Sequence, residues 1–503
     1  MSQQVDVNEI LDSMILLYND VKHVGSQYYR HWEPQIEKET FFESAENFSY
    51  YLALRNHDIR DLQEQLVPLG LSSLGRLESK TLSTLQAVIA NLALIAGKEV
   101  DISFPSQESF VVGEERLREN IDEQFGEEPE NRHARIMVTM PLEAATDRDY
   151  VQSLIEAGMN VARINCAHDT EEIWMQMIDL IREVADELDA EVKIMLDIAG
   201  PKIRTDWVYT QLKNPKLKVD DRLILTSDYE HFPQSFEANV VAGFDVKEII
   251  SAVKVGDPVL IDDGSIETVV EAVDEHSIHL LVTKVKGKSM RLRAEKGLNF
   301  PKTQFELNIL SDKDRRDIAF ASQHADIIAC SFVRHGQDII EIQKELTKHL
   351  GDKANEKAIL AKIETVQAIE NLPEIIMTAS SKNPFSIMIA RGDLAVESGY
   401  IHLTELQQEI LWLCEAASIP VVWGTEVLAN LIDKGIPTRS ELTDAAESAR
   451  ADCVMLNKGE FVIEAIDMLD QILEKMQEHL YKKTSKLRAL NIAKMKGVTI
   501  EEN

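Results

Sequence analysis

The amino-acid sequence predicts an α/β chain. Its centre is a (β/α)8 (TIM) barrel with a small all-β domain inserted after the third strand, preceded by an α-helical N-terminal region. Three observations predict it. From Arg135 onward, eight short β-like apolar runs alternate with amphipathic helical runs. Polar or charged residues stand at or just beyond the ends of the last seven runs (Asn165, Asp197, Ser331, Glu364, Asp393, Thr425 and Asn457), where a barrel presents its functional side chains. Between the third and fourth runs the chain is far too long for a single crossover, and it carries β-like runs of its own.

In chain order, residues 1–97 read as helical. Leu52, Leu54, Ile59, Leu62 and Leu66 recur at roughly helical spacing, as do Leu82, Leu85, Val88, Ile89, Leu92 and Ile95, and Pro68 to Gly75 supply the break between them. Residues 98–133, acidic and poor in large apolar side chains, read as a linker. The barrel is expected at 134–206 and 299–480. Its strands lie near Ile136–Val138, Val161–Asn165, Ile194–Asp197, Ile327–Phe332, Ile359–Lys362, Ser386–Ala390, Val421–Gly424 and Cys453–Asn457. The inserted domain, 207–298, holds Leu223–Leu225, Pro258–Ile261, Thr268–Val270 and Ile278–Val282, with Asp262-Asp263-Gly264 as a turn. Placed after the third strand, on the active-site side, it reads as a lid or as a purely structural insertion. Residues 481–503 form a basic C-terminal tail.

The chain has 503 residues, 44% of them hydrophobic and 28% charged, the profile of a soluble globular protein of more than one domain. No run approaches the roughly 18 to 20 apolar residues of a membrane span, and the N-terminus lacks the regions of a signal peptide. Cys166, Cys330, Cys414 and Cys453 are scattered without metal-type pairing. A cytoplasmic location is expected, with no membrane partner. The formal charge of −33 argues against a nucleic-acid partner and requires any phosphate site to be locally basic.

The chemistry concentrates at Ala361-Lys362-Ile363-Glu364 and Ile389-Ala390-Arg391-Gly392-Asp393. Lys362 and Glu364 are two apart, so on a strand they share a face, and Asp393 arrives from the next strand-like segment. One ammonium beside two carboxylates suits a divalent metal that neutralises a phosphate while the lysine meets developing negative charge. A buried salt-bridge network is the alternative.

In the same order, Gly158 to Asn165, Gly200-Pro201-Lys202-Ile203-Arg204-Thr205, Ile261 to Gly264, Lys296 to Pro301, Lys362-Ile363-Glu364, Ala390 to Leu394 and Pro437-Thr438-Arg439 resemble the segments of pyruvate kinase, over some two-thirds of the chain. The resemblance implies transfer of the phosphoryl group of phosphoenolpyruvate to a nucleoside diphosphate, ADP foremost, giving pyruvate and ATP. By position, Glu364 and Asp393 match the ligands of Mg2+ or Mn2+. Lys362 matches the residue that stabilises the phosphoryl group in flight and the enolate, and Arg163 the one that holds the phosphate. Thr425 matches the threonine near the enolate face that gains a proton. Arg391 and Gly392 fall in the substrate-binding segment, and Asn165, His168, Arg204 and Lys296 in the nucleotide and phosphate region.

The chain also departs from that pattern. Where most members carry an acidic residue it has Lys202, and the serine and threonine ligands of a potassium ion are replaced by Ala167 and Ile198. The lysine ammonium can substitute for K+, so K+ is not expected to be required. Ala199 replaces the family lysine before Gly-Pro, and Asn457-Lys458-Gly459-Glu460 the usual serine-glycine-glutamate-threonine run, both where nucleotide contacts fall. The C-terminal effector domain of typical members is absent from the sequence, and residues 1–97 are candidates for dimerising, for docking a partner, or for packing back on the barrel. Two other functions stay open: a metal-dependent barrel lyase acting on a pyruvate or acyl-CoA enolate, and a regulatory protein that binds phosphoenolpyruvate without turnover.

Overall fold

The computed structural model describes residues 6–477 apart from 212, 214, 215, 228–237, 245, 304 and 306. The expected tail, 481–503, and the last three residues assigned to the barrel lie outside the described residues. All eight expected barrel strands form: β1 Arg135–Thr139, β2 Val161–Asn165, β3 Lys193–Ile198, β4 Ile327–Cys330, β5 Ala358–Ile363, β6 Phe385–Ala390, β7 Val421–Gly424 and β8 Cys453–Leu456. Each pairs in parallel with the next, and β8 returns to β1 in the register Ile136 to Val454, closing the barrel. Closure leaves no strand edge exposed.

Side chains alternate along each strand, and one alternate set fills the interior. Met137, Val161, Met195, Ala329, Leu360 and Met388 form its core. Two residues further along the same face stand Arg163 after Val161, Asp197 after Met195, Ser331 after Ala329, and Lys362 after Leu360. The strand period of two therefore carries the core's own rows into the functional end.

The insertion is a seven-stranded, mostly antiparallel sheet with its own core, including Leu223, Leu225, Val259, Ile261, Ile278 and Leu280. Its stem is two chain segments bridged at Arg204 and Gly297. The turn Asp262-Asp263-Gly264, with φ of 54°, 52° and 75°, brings Asp263 within 3.8 Å of the Lys202 ammonium.

Residues 98–133 are not a linker throughout. Helix Val112–Phe125 lies within them, and Ile121 and Phe125 belong to the barrel's interior core. Leu117, Ile121 and Phe125, spaced by four, form a single apolar stripe in an otherwise acidic helix, which hid it from a composition-based reading. The helix plugs the end of the barrel opposite Lys362. Asn120 donates to the Ser418 carbonyl at 2.7 Å, and Arg135 pairs with Asp122.

The helices Val7–Trp32, Phe42–Leu54 and Thr81–Ala96 pack together and onto the barrel helix Tyr400–Ala416. A Cβ at Gly25 would sit 2.9 Å from the Tyr50 Cα, so glycine allows that close crossing. Asn47 donates to the Ala416 carbonyl at 2.8 Å, and Arg55, 1% exposed, stacks on Trp412. The N-terminal region thus packs on the barrel. One stretch, Glu78–Ala96, is long and apolar enough to cross a membrane by length and composition, contrary to the sequence reading. Half of it is buried within the fold, and that packing accounts for its apolar character.

Candidate active site

Lys362, on β5, stands at the centre of the barrel's C-terminal end. Its ammonium lies 3.1 Å from Glu364 Oε1 and 3.5 Å from Asp197 Oδ2, and donates to Ser331 Oγ at 2.8 Å. Burial alone would lower its pKa, but Asp197 and Glu364 more than offset that and hold it above the usual lysine value. It is a permanent cation in an enclosed site.

Arg163, from β2, donates to Asp197 Oδ2 through Nε (2.9 Å) and Nη2 (2.6 Å), and to Thr139 Oγ1 through Nη1 (2.8 Å). These bonds fix the guanidinium plane and leave further N–H groups on both terminal nitrogens. Asp197 is 1% exposed, yet Lys362 and Arg163 overcome its burial and hold it ionised below its usual range. It is the common anchor of the two cations, and Ser331 donates to its other oxygen at 3.3 Å.

Glu364 accepts the Phe332 N–H at 2.5 Å, from a backbone held at φ 59°. Its pKa is raised, first by burial and further by Asp393 nearby, against the pull of Lys362. Two carboxylates that repel one another in a buried site are a fitting place for a cation. No group of three or more His, Cys, Asp or Glu suited to a metal occurs among the described residues, so a metal here would draw its other ligands from substrate or water.

Asp393 opens the helix Arg391–Ser398 and accepts from the Lys202 ammonium at 2.6 Å. Lys202 also lies 5.7 Å from the Phe332 ring centroid. Gly200, in the same segment, has φ 66°, and a Cβ there would come within 2.6 Å of the Ser331 carbonyl oxygen. Glycine thus lets the stem of the insertion pass against the end of β4. Thr425 sits in a left-handed turn after β7 (φ 63°), and its hydroxyl accepts the Gly392 N–H at 2.8 Å, leaving its own proton free to point elsewhere.

The structure therefore brings Arg163, Lys362, Glu364, Asp393, Lys202, Gly392 and Thr425 into one connected array. The remaining expected residues make contacts of their own. Arg391, expected in the substrate-binding segment, donates to Asp444, to the Gly424 carbonyl (2.9 Å) and to the Thr425 carbonyl (2.6 Å), and stacks on Trp423. It anchors the Thr425 turn. Asn165 uses its side-chain oxygen on the Ala167 N–H, and His168 is exposed, its carbonyl accepting from Trp174 Nε1 at 2.9 Å. Arg204 and Lys296 lie across the stem from one another, Arg204 exposed and Lys296 paired with Asp262 at 2.8 Å.

Asn299 and Glu397 escaped the sequence reading. Asn299 Nδ2, on the stem, donates to Glu397 Oε1 at 2.9 Å, and burial pushes the Glu397 carboxyl up to about 7, with Asp393 adding to the rise. Both line a cleft of about 440 Å³ between the stem and the barrel, beside Lys202 and Phe332. They meet across 98 residues of sequence, and no local pattern announces such a pair.

The family model of the pyruvate kinase barrel domain matches residues 131–466, more than half of the chain. The chain belongs to the pyruvate kinase family. It is 33% identical to the pyruvate kinase of Dictyostelium discoideum over 358 residues, covering 69% of this chain and 68% of that one. It is 32% identical to that of Thermococcus litoralis over 370 residues (71% and 73%) and to that of Borreliella burgdorferi over 340 (66% and 66%). Membership of the pyruvate kinase family makes the chain a phosphotransferase of the pyruvate kinase kind. The matched stretch holds all eight barrel strands and the insertion and ends inside the last barrel helix, Val462–Gln477, while the helices before residue 131 lie outside it.

Proposed function

We propose that the chain transfers the phosphoryl group of phosphoenolpyruvate to a nucleoside diphosphate, ADP foremost, forming pyruvate and the triphosphate. The observation that carries this reading is the Lys362 ammonium held between Asp197 and Glu364, with Arg163 fixed on the same Asp197 oxygen and Asp393 acting on Glu364. Arg163 orients the phosphate through a planar guanidinium that cannot turn away. As the bridging P–O bond breaks, charge passes to the enolate oxygen, and Lys362 meets it from a low-dielectric setting where one ammonium counts for most. A diphosphate oxygen of the acceptor takes the phosphoryl group, and the enolate then gains a proton on carbon from the side of Thr425.

Glu364 and Asp393 would hold one Mg2+ or Mn2+, which supplies charge neutralisation between the substrate's carboxylate and phosphate. Lys202 places a fixed charge beside Asp393, and Ala167 and Ile198 carry no side-chain oxygen to ligate an alkali ion, so the reaction proceeds without K+. Asn165, His168, Arg204 and Lys296 serve the acceptor nucleotide, Lys296 by exchanging Asp262 for phosphate. A homo-oligomer or protein partner would engage the remaining surface of the N-terminal helices.

The test is pyruvate formation from phosphoenolpyruvate with Mg2+ or Mn2+ and a panel of nucleoside diphosphates, with Lys362→Met as control. Turnover lost in the control supports the reading. Metal-dependent phosphoenolpyruvate binding without turnover for every acceptor would overturn it.

A further inference from the structure

At the end of the barrel opposite Lys362 lies a second cleft, of about 530 Å³, where three parts of the chain meet. The N-terminal region supplies Glu78 and Lys80, the plug helix supplies Glu114, Leu117 and Ile121, and the barrel supplies Trp412, Glu415, Ile419 and Asp452. The active site draws on none of these residues.

Five carboxyls (Glu78, Glu114, Glu128, Glu415 and Asp452) and five lysine or arginine cations line the cleft, and they are unevenly paired. Four of the cations have partners: Lys80 pairs with Glu114 and reaches the Phe110 carbonyl, Arg135 pairs with Asp122, Arg450 with Glu447 at 2.8 Å, and Arg118 with Glu128 at 3.9 Å. The fifth, Arg76, is exposed to solvent. On the acidic side the Glu415 carboxyl makes no hydrogen bond or ion pair among the described residues, and Asp452 accepts only the Val421 N–H, at 2.8 Å. The pKa of Glu78, 4% exposed, is raised by burial against the pull of Arg55 and Lys80. Burial pushes Glu415 well above the usual carboxylate range, with Glu78, Asp452 and Glu114 adding repulsion and Lys80 opposing it, and burial pushes Asp452 up to about 7 against the pull of Arg135.

We infer that this cleft binds a small organic cation, an ammonium carried on an apolar body, with Glu415 and Asp452 on the charge and Leu117, Ile121, Trp412 and Ile419 around the body. A bare metal ion is the poorer fit, because no metal-sized group of three acidic or histidine ligands occurs here among the described residues. An apolar wall with a few convergent polar groups is the general form of a small-molecule site. Its ligand would touch the N-terminal helices and the barrel together, so binding would clamp the one to the other.

The probe is 2-phenylethylamine, titrated calorimetrically into the full chain and compared with 2-phenylethanol and 3-phenylpropanoate. The amine is expected to bind saturably at one site per chain, the alcohol at least tenfold more weakly, and the acid without saturation. Glu415→Gln, which removes a carboxyl without a hydrogen-bond partner, should weaken the amine at least tenfold and leave the alcohol unchanged. In the unsubstituted chain near pH 6.5, amine binding should release a proton from Asp452, read as a heat that varies with the ionisation enthalpy of the buffer. Absence of saturable amine binding, equal affinity for amine and alcohol, or a Glu415→Gln chain that binds the amine as before would each overturn the inference.

Discussion

The ammonium of Lys202 lies 2.6 Å from Oδ1 of Asp393, one of the two carboxylates proposed for the metal, and 3.8 Å from Asp263 in the turn of the inserted domain. One side chain thus joins the site's charge to the insertion above it. Ala167 and Ile198, where the resemblance expects potassium ligands, carry no oxygen in their side chains, so an alkali cation has little to hold it.

Lys202→Met is therefore expected to lower kcat/KM for phosphoenolpyruvate about tenfold, the weight of a loss of ~1.4 kcal/mol. Potassium should not restore it. Turnover measured in K+ and in tetraethylammonium at constant ionic strength, for both chains, checks this. A native chain that stops in tetraethylammonium would show that Lys202 does not do the work of K+.

Lys362→Met separates chemistry from metal binding. Loss of one preorganised positive group from a buried site costs on the order of 10²–10³ in kcat. Glu364, freed from the ammonium that now lies 3.1 Å away, should keep or strengthen its hold on a divalent cation. Mn2+ binding followed by electron paramagnetic resonance checks the second half. Loss of Mn2+ affinity in step with kcat would assign Lys362 to building the site.

All eight barrel strands were legible because each is an apolar run of its own, and the polar residues that end them were legible because β-strands alternate. Lys362 and Glu364 needed only that spacing. Contacts across distant segments were not. Nothing near Arg391 says that Asp444, 53 residues on, will occupy its guanidinium, and nothing near Glu397 says that Asn299 will reach it. The plug helix hid for another reason: three apolar side chains spaced by four suffice when the surface they cover is the closed end of a barrel.

Arg391 and Asp444 form a largely enclosed pair, with side chains 11% and 27% exposed. Removing either partner should cost about 3 kcal/mol of stability. Arg391→Lys should recover only part of it, since an ammonium cannot serve Asp444 and two carbonyls in one plane. Urea denaturation of Arg391→Ala, Asp444→Ala and the double variant checks this. A double variant whose loss equals the sum of the two single losses would show that the pair is not coupled.

Glu397 gives the chain a pH dependence of definite sign. Its carboxyl titrates near 4.5 when unfolded and is pushed up to about 7 in the fold. Between those values the unfolded chain holds fewer protons, so this group's contribution to stability falls as pH rises from about 4.5 to 7 and is level beyond. Glu397→Gln keeps an oxygen to accept from Asn299 and removes the ionisation. The variant should gain on the native chain steadily across that window, measured as the difference in urea midpoint from pH 5 to 8. A difference that does not change with pH would mean that Glu397 is ionised throughout.

Phe125 tests whether the plug helix belongs to the barrel. Its ring is fully buried and shares one core with Met137, Met195, Leu360 and Met388, the layer beneath Arg163, Asp197 and Lys362. Phe125→Ala empties that end and should cost about 3–5 kcal/mol. The strands are hydrogen-bonded in closed register above the cavity, so the loss should fall on unfolding while the geometry at Lys362 survives. The folded variant is therefore expected to keep its KM for phosphoenolpyruvate within about twofold, a shift worth ~0.4 kcal/mol, while its urea midpoint drops. A KM that rises tenfold at full folding would show that the plug sets the spacing of the strand ends as well as closing the barrel.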